Sequence, residues 1–203
     1  MAVIPMIHPI SVDTAKRYAS NSGMIVFDLD TSKLTDAAAL MAAVKAAPEK
    51  WLGATSGTTS ISDGRKNWSP SHNGKRIPWV GDQHLDTAAP SIKAKVVEMK
   101  ETSIQRMAGT ADVTGNGSKV ITIKPKADYD VADSKPVHWL TNLGADGVIL
   151  VTLKNALCVS GLNWSIDDKK IATADVEFVA HASDPTDTEY LPMECQLYLA
   201  AAT

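Results

Sequence analysis

Leu162-Asn163-Trp164-Ser165-Ile166-Asp167-Asp168-Lys169-Lys170-Ile171-Ala172-Thr173-Ala174-Asp175-Val176-Glu177-Phe178-Val179-Ala180 is the stretch that decides the fold class. Leu162, Trp164 and Ile166 recur at every second position up to a polar turn, Asp167 to Lys170. Ala172, Ala174, Val176, Phe178 and Ala180 recur in the same way beyond it. Because successive side chains of an extended strand point to opposite faces, this period predicts a β-hairpin with one apolar face. The opposite face of the second arm, with Thr173, Asp175, Glu177 and His181, is polar.

Working outward, the same signals recur. Met193, Cys195, Leu197 and Leu199 alternate as a last strand, and Val148 to Leu153 is a nearly continuous apolar strand. Asn116-Gly117 marks a tight turn between strands at 110–114 and 119–124, ended by Pro125. Ile92, Ala94 and Val96 alternate with Lys93 and Lys95, and the run from Met24 to Asp30 reads as another strand. One helix is expected, capped at Thr35-Asp36, carrying Leu40, Val44 and Ala47 on one face and stopped by Pro48. Residues 1–23 read as an extended arm broken by Pro5 and Pro9. Residues 52–90, rich in Gly, Ser, Thr, Pro and Asn, read as a long loop excursion with short strands within it. Residues 128–147 read as an acidic loop with a helical turn near 138–143. The fold class expected is therefore mainly β (α+β) in one domain, 1–203: two packed antiparallel sheets forming a β-sandwich or barrel, with one flanking helix and long loops.

The 203 residues, 44% hydrophobic and 21% charged, have the composition of a globular chain able to bury a core. Twenty basic against 23 acidic side chains give a net charge of -3, which argues against a protein built mainly to hold phosphates. The charge is uneven. Residues 1–125 hold 15 basic and 11 acidic groups, net +4, while 126–203 hold 5 and 12, net -7. No run approaches the ~18 apolar residues of a membrane span, and no signal peptide is recognised at the N-terminus, so synthesis in the cytoplasm and no membrane partner are expected. Cys158 and Cys195 have no neighbouring Cys or His, so buried free thiols are expected rather than a metal knuckle.

Several motifs suggest chemistry. Ile25-Val26-Phe27-Asp28-Leu29-Asp30 resembles the nucleophile motif of haloacid-dehalogenase-type phosphatases, in which one carboxylate attacks phosphorus and the second serves as acid and base beside a Mg²⁺. Gly81-Asp82 with Asp86 resembles that family's metal motif. Only 53 residues separate Asp28 from Gly81, too few for the strand-helix units of a parallel sheet, and Ser32 stands where Thr or Val is expected. Asp28 and Asp30 are therefore read as a strand end and its turn. Gly53-Ala54-Thr55-Ser56-Gly57 lacks the serine of a nucleophile elbow and reads as a turn. His8, His72, His84, His138 and His181 stand apart from one another, without ligand spacing. Arg65-Lys66-Asn67-Trp68 and Lys75-Arg76-Ile77-Pro78-Trp79 interleave cations with indoles, as single-stranded nucleic acid grooves do, while the acidic total favours a loop packed on a neighbouring subunit. No catalytic, cofactor or metal residues are assigned, and no enzyme is expected.

The order of segments resembles the tail tube proteins of tailed bacteriophages. The likeness covers about 24–199. It rests on Trp51 to Gly57 followed by Ile61-Ser62-Asp63-Gly64 and Trp68-Ser69-Pro70, on the strand from Ile92 to Met99 running into a helical turn from Glu101 to Gly109, and on the late hairpin closing with Ser183-Asp184-Pro185. The resemblance implies a virion structural protein, six copies forming a ring whose long strands join into a barrel, with rings stacked into a tube through which DNA is ejected. It also implies a tape measure protein in the lumen and tail tip, baseplate and terminator proteins at the ends. With no sheath-specific feature, a long non-contractile tail is favoured over a contractile one or a related secretion tube. The polar face of Thr173, Asp175 and Glu177 suits an acidic lumen lining. The arm, segment 65–82 and the Asp167 to Lys170 tip suit ring contacts.

Overall fold

A computed structural model describes residues 19–70, 77, 81–115, 119–144, 147–184, 186 and 190–200. The strands are β1 (Ala19–Phe27), β2 (Thr55–Ser62), β3 (Lys66–Trp68), β4 (His84–Thr87), β5 (Ser91–Val96), β6 (Ala111–Thr114), β7 (Thr122–Pro125), β8 (Lys135–Leu143), β9 (Gly147–Cys158), β10 (Trp164–Ser165), β11 (Thr173–Ala180) and β12 (Met193–Leu199). The helices are α1 (Ala37–Ala46) and α2 (Glu101–Met107), with single 3₁₀ turns at Pro48–Lys50 and Val131–Asp133. The protein is mainly β, and its sheets are antiparallel.

Eight strands form one sheet in the order β1-β8-β9-β11-β5-β2, with β12 added to β9 and β10 to β11; β3-β4 and β6-β7 are separate two-stranded ribbons. This corrects the expectation of two packed sheets. The physical reason is the length of β9, twelve residues, which pairs β8 along one edge and is shared on the other between β12 (147–153) and β11 (156–158). The ends of the sheet are then drawn together. Leu52 N–H donates to Ile25 O at 3.0 Å and Val26 bridges Trp51, so the entry to β2 closes on β1.

Curling encloses one face of the sheet. Ile25, Phe27, Leu52, Ile92, Val96, Leu153, Val176 and Phe178 fill the inside together with Met107 of α2. The outer faces of β1, β8 and β9 place Val26, Leu140, Val148 and Leu150 under Leu40 and Val44 of α1. The cap of α1 is as expected: the Asp36 side chain accepts from Ala39 N–H at 2.8 Å, satisfying one of the open donors of the first turn.

A bulge lets β9 serve both regions. Opposite Lys135 to Val137, β9 carries an extra residue between Leu153 and Ala156, and Asn155 takes φ 46. Without it, Ala156 would point away from the face that Leu153 fills; with it, both lie in the same core. Asn tolerates the left-handed region and β-branched residues do not, so Asn155→Val is expected to cost about 1–2 kcal/mol while Asn155→Gly stays near wild type in urea denaturation. Equal stability of the two variants would refute this account. The β1 bulge between Ser20 and Met24 similarly depends on Gly23, at φ 77, because a Cβ there would run into the Trp139 indole and the Leu140 carbonyl.

Other expectations change. β1 begins at Ala19, inside the expected 1–23 arm, and ends at Phe27 rather than Asp30; residues 1–18 lie outside the described residues. The 52–90 excursion carries β2, which joins the main sheet, as well as the β3-β4 ribbon. The helical turn expected near 138–143 is part of β8. That strand is covered on both faces, with Val137 inside the curled sheet and Leu140 under α1, and the cover erases the polar-apolar alternation. The described residues form two helices rather than one. α2 stands where the likeness places a helical turn, held by the Ser103 hydroxyl donating to Leu52 O and by buried Met107. The β6-β7 hairpin is present, with its Asn116-Gly117 turn outside the described residues.

Candidate functional site

The polar face foreseen on β11 is real, and its charge balance is not the expected one. Glu177 lies directly opposite Lys93, and Asp175 opposite Lys95. The Lys93 Nζ to Glu177 Oε1 distance is 3.0 Å, and Lys95 Nζ lies 3.5 Å from Asp175 Oδ1. Exposed pairs of this kind add only ~0–1 kcal/mol to stability, so their main effect is to cancel charge. The surface is thus neutralised rather than acidic. Around it lie Ser56, Thr58, Ser160 and Asn163, which line a shallow hollow of about 450 Å³. The Ser160 hydroxyl accepts from Glu177 N–H at 3.1 Å.

This face belongs to a run of four strands, β2-β5-β11-β10, each antiparallel to the next. Its outer strands β2 and β10 therefore run in opposite directions. Large apolar side chains crowd its margins. Ile166 and Ile171, 73% and 75% exposed, flank the Asp167 to Lys170 turn, and Trp164 is half exposed beside them. At the other end of β11 a cavity of about 540 Å³ is lined by Tyr129, Val131, Leu157, Val159 and His181 among others. Val131 is 88% exposed. On β12, Leu197 and Leu199 are also open to solvent. Neither the cavity nor the Lys93 and Lys95 partnership was legible in the sequence; the opposite signs of alternate residues on β5 and β11 were the available signal for the latter.

The phosphatase-like residues are not assembled into a site. Asp28, at φ 51, follows β1; its N–H donates to Pro136 O at 2.9 Å and its carbonyl accepts from Lys50 Nζ at 2.7 Å. Asp30 accepts from the Ser32 hydroxyl at 2.6 Å and Ser32 N–H at 3.0 Å, and these bonds hold its carboxyl below the usual range. That is a turn carboxylate. Asp82, two residues before β4, accepts from Ser69 Oγ at 2.9 Å, and Asp86 sits on β4 in the separate β3-β4 ribbon. Among the described residues no group of three His, Cys, Asp or Glu is placed to hold a metal ion.

Gly53 to Gly57 is not a free turn: Ala54 N–H donates to Glu98 Oε2 at 2.9 Å, and Thr55 opens β2. Trp68 stacks on His84 with centroids 5.4 Å apart, and Arg65 pairs with Asp63 at 3.0 Å, so half of the basic-aromatic segment is internally engaged. Lys75, Arg76, Pro78 and Trp79 lie outside the described residues, as do His8 and His72. Cys158 is buried as expected, and Cys195 is exposed, a correction that follows from its place on the open face of β12.

His138 is the one buried histidine of the described residues. Nδ1 lies 2.9 Å from Thr152 Oγ1, and Nε2 has no hydrogen-bond partner. Burial pushes its pKa down from 6.5 to about 4; Asp28 and the Leu29 backbone pull weakly the other way, and Lys50 adds to the lowering. It is a structural group enclosed within β8, between β1 and β9. No described helix is long and apolar enough to cross a membrane. No protein-family model matches the chain, and no curated protein matches it.

Proposed function

We propose that this protein is a self-assembling tube subunit of the bacteriophage tail-tube kind, forming rings of six that stack into the conduit for DNA ejection, with a long non-contractile tail favoured. The observation that carries the reading is the four-stranded run β2-β5-β11-β10. Its polar outward face is bounded by two edge strands running in opposite directions. Copies related by rotation about an axis lying along the strands can place β10 of one beside β2 of the next and continue an antiparallel sheet. In a closed ring of such copies the outer edges of β2 and β10 cover each other.

The chemistry of the face agrees. A conduit must not hold its DNA, and multiple lysine contacts to phosphate would do so. Here Lys93 and Lys95 are neutralised by Glu177 and Asp175, and Ser and Thr supply a small polar surface. The exposed isoleucines at the hairpin end of this face, and the exposed leucines on β12, suit a chain that is completed by its own copies. In this reading a tape measure protein occupies the lumen, and tip, baseplate and terminator proteins meet the tube ends.

Negative-stain electron microscopy with light scattering over a range of concentrations tests the proposal. Hollow tubes or stacked rings are expected. A strictly monomeric particle at high concentration, also after addition of preformed tail tips, would overturn it.

A further inference from the structure

Building on the self-assembly reading, we infer that successive copies engage head to tail, the β10-β11 hairpin tip of one inserting into the cavity at the far end of β11 in the next. The two features are chemically alike and spatially opposed. The tip presents Trp164, Ile166 and Ile171 to solvent. The cavity, about 540 Å³, offers Val131, Leu157 and Val159. That volume lies in the ~300–1,000 Å³ range of sites that enclose a bound group.

Position excludes the alternative that the tip fills its own cavity. Thr173 begins β11 beside the tip, and His181 and Ala182 follow its last residue into the cavity wall. The seven steps between Thr173 and Ala180, at about 3.3 Å each, span roughly 23 Å. A knob and a hole at opposite ends of one strand can meet only between molecules. Such a contact joins unlike surfaces, so it repeats instead of closing a pair.

Charge adds direction. Asp130 lines the cavity, and its loop also carries Asp128 and Asp133. At the tip Lys170 is tied to Asp167 at 3.0 Å, while Lys169, at φ 62, stands at the apex next to Asp168. Of the two tip lysines, Lys169 is thus the one available to the acidic rim. One inserted tip covers far less than the ~1,000 Å² of a lasting interface, so the contact holds only when many act together around a ring.

The test uses the full chain. Ile166→Asp with Ile171→Asp alters the tip, and Val131→Asp with Val159→Asp alters the cavity. Each double variant alone is expected to raise the concentration at which stacked particles appear by more than about a hundredfold, because two aliphatic side chains, each worth about ten- to a hundredfold, are lost at every contact and the contacts act together around a ring. Mixed in equal amounts, the two variants are expected to form a species of twice the mass of the smallest assembly and nothing longer, because each supplies only one intact half. Stacking like wild type, or a mixture with no new species, would overturn the inference. If the wild type stacks and the variants stack equally, this inference alone falls; if the wild type never associates, the tube reading falls with it. Should an aspartate variant lose its native circular dichroism, Ile171→Cys with Val131→Cys in a Cys195→Ser background replaces it. Oxidation of assembled protein then yields a ladder of disulfide-linked multimers if the contact exists, and only monomer if it does not.

Discussion

Phe178→Ala is expected to remove about 3–5 kcal/mol of stability, a large part of the ~5–15 kcal/mol that holds an ordinary domain together. Phe178 is 2% exposed and packs edge-on against Phe27, with ring centroids 5.4 Å apart at 70°. The pair joins β11 to β1, the two regions that the curled sheet brings face to face. Truncation would empty the centre of the enclosed core, where Ile92 and Val176 cannot relax without disturbing β5 and β11. Urea denaturation followed by tryptophan fluorescence is the measurement. Val120→Ala, at an exposed site outside the proposed contact, is the control and should stay within about 0.5 kcal/mol of wild type. A midpoint for Phe178→Ala equal to the control would contradict the placement of the core.

Acid should loosen the fold through His138. Its folded pKa of about 4 lies below the unfolded value of 6.5, so the unfolded chain binds the extra proton more readily. Stability is therefore undiminished above about pH 6.5, falls as the pH drops from about 6.5 to about 4, and loses nothing further from this group below that. The difference of about 2.5 in pKa corresponds to roughly 3 kcal/mol at the acid end. Asp28 and Lys50 are the charged groups that act on the ring, and they oppose each other. Denaturation midpoints at pH 7 and pH 4 should differ strongly for wild type and much less for His138→Asn, which keeps a partner for Thr152. An unchanged pH dependence in that variant would assign acid lability to the carboxylates instead. Asp30, Asp184 and Glu98 are each held below the usual range by hydrogen bonds, so their contributions are lost only as the pH falls through lower values.

What was legible in the sequence was whatever local chemistry dictates. The alternation in β11 and β5 reports a sheet with one buried face, and those strands stand where it puts them. Asp36 and Pro48 bound α1 because capping and the missing proline N–H act within a few residues. β8 was illegible because it is buried on both faces, with His138 and Thr141 inside, so the period of two disappears. β2, Thr-Ser-Gly-Thr-Thr-Ser-Ile-Ser, has one large apolar residue, and its strand conformation comes from pairing with β5. The polar face was readable on β11, but its neutrality required the register that sets Lys93 against Glu177. The cavity joins segments at 129–134, 155–159 and 181–183, whose proximity no local pattern encodes.

The pairing of β1 with β8 sets a timetable for the chain's synthesis. Val26 meets His138, 112 residues later in the chain, and Lys93 meets Glu177 across a separation of 84 residues. Contacts so distant in sequence make folding slow, because a long loop must close before any pairing rewards it. A nascent chain that has not yet reached β8 has thus exposed β1 without its partner strand, and β5 with only β2 beside it. The hairpin that presents Ile166 and Ile171 emerges after all of these strands and after β8 and β9. Under the proposed self-assembly, a subunit would present its tip only once β1, β2, β5, β8 and β9 had all been made, so a chain stopped before the hairpin would lack the means to join a growing tube.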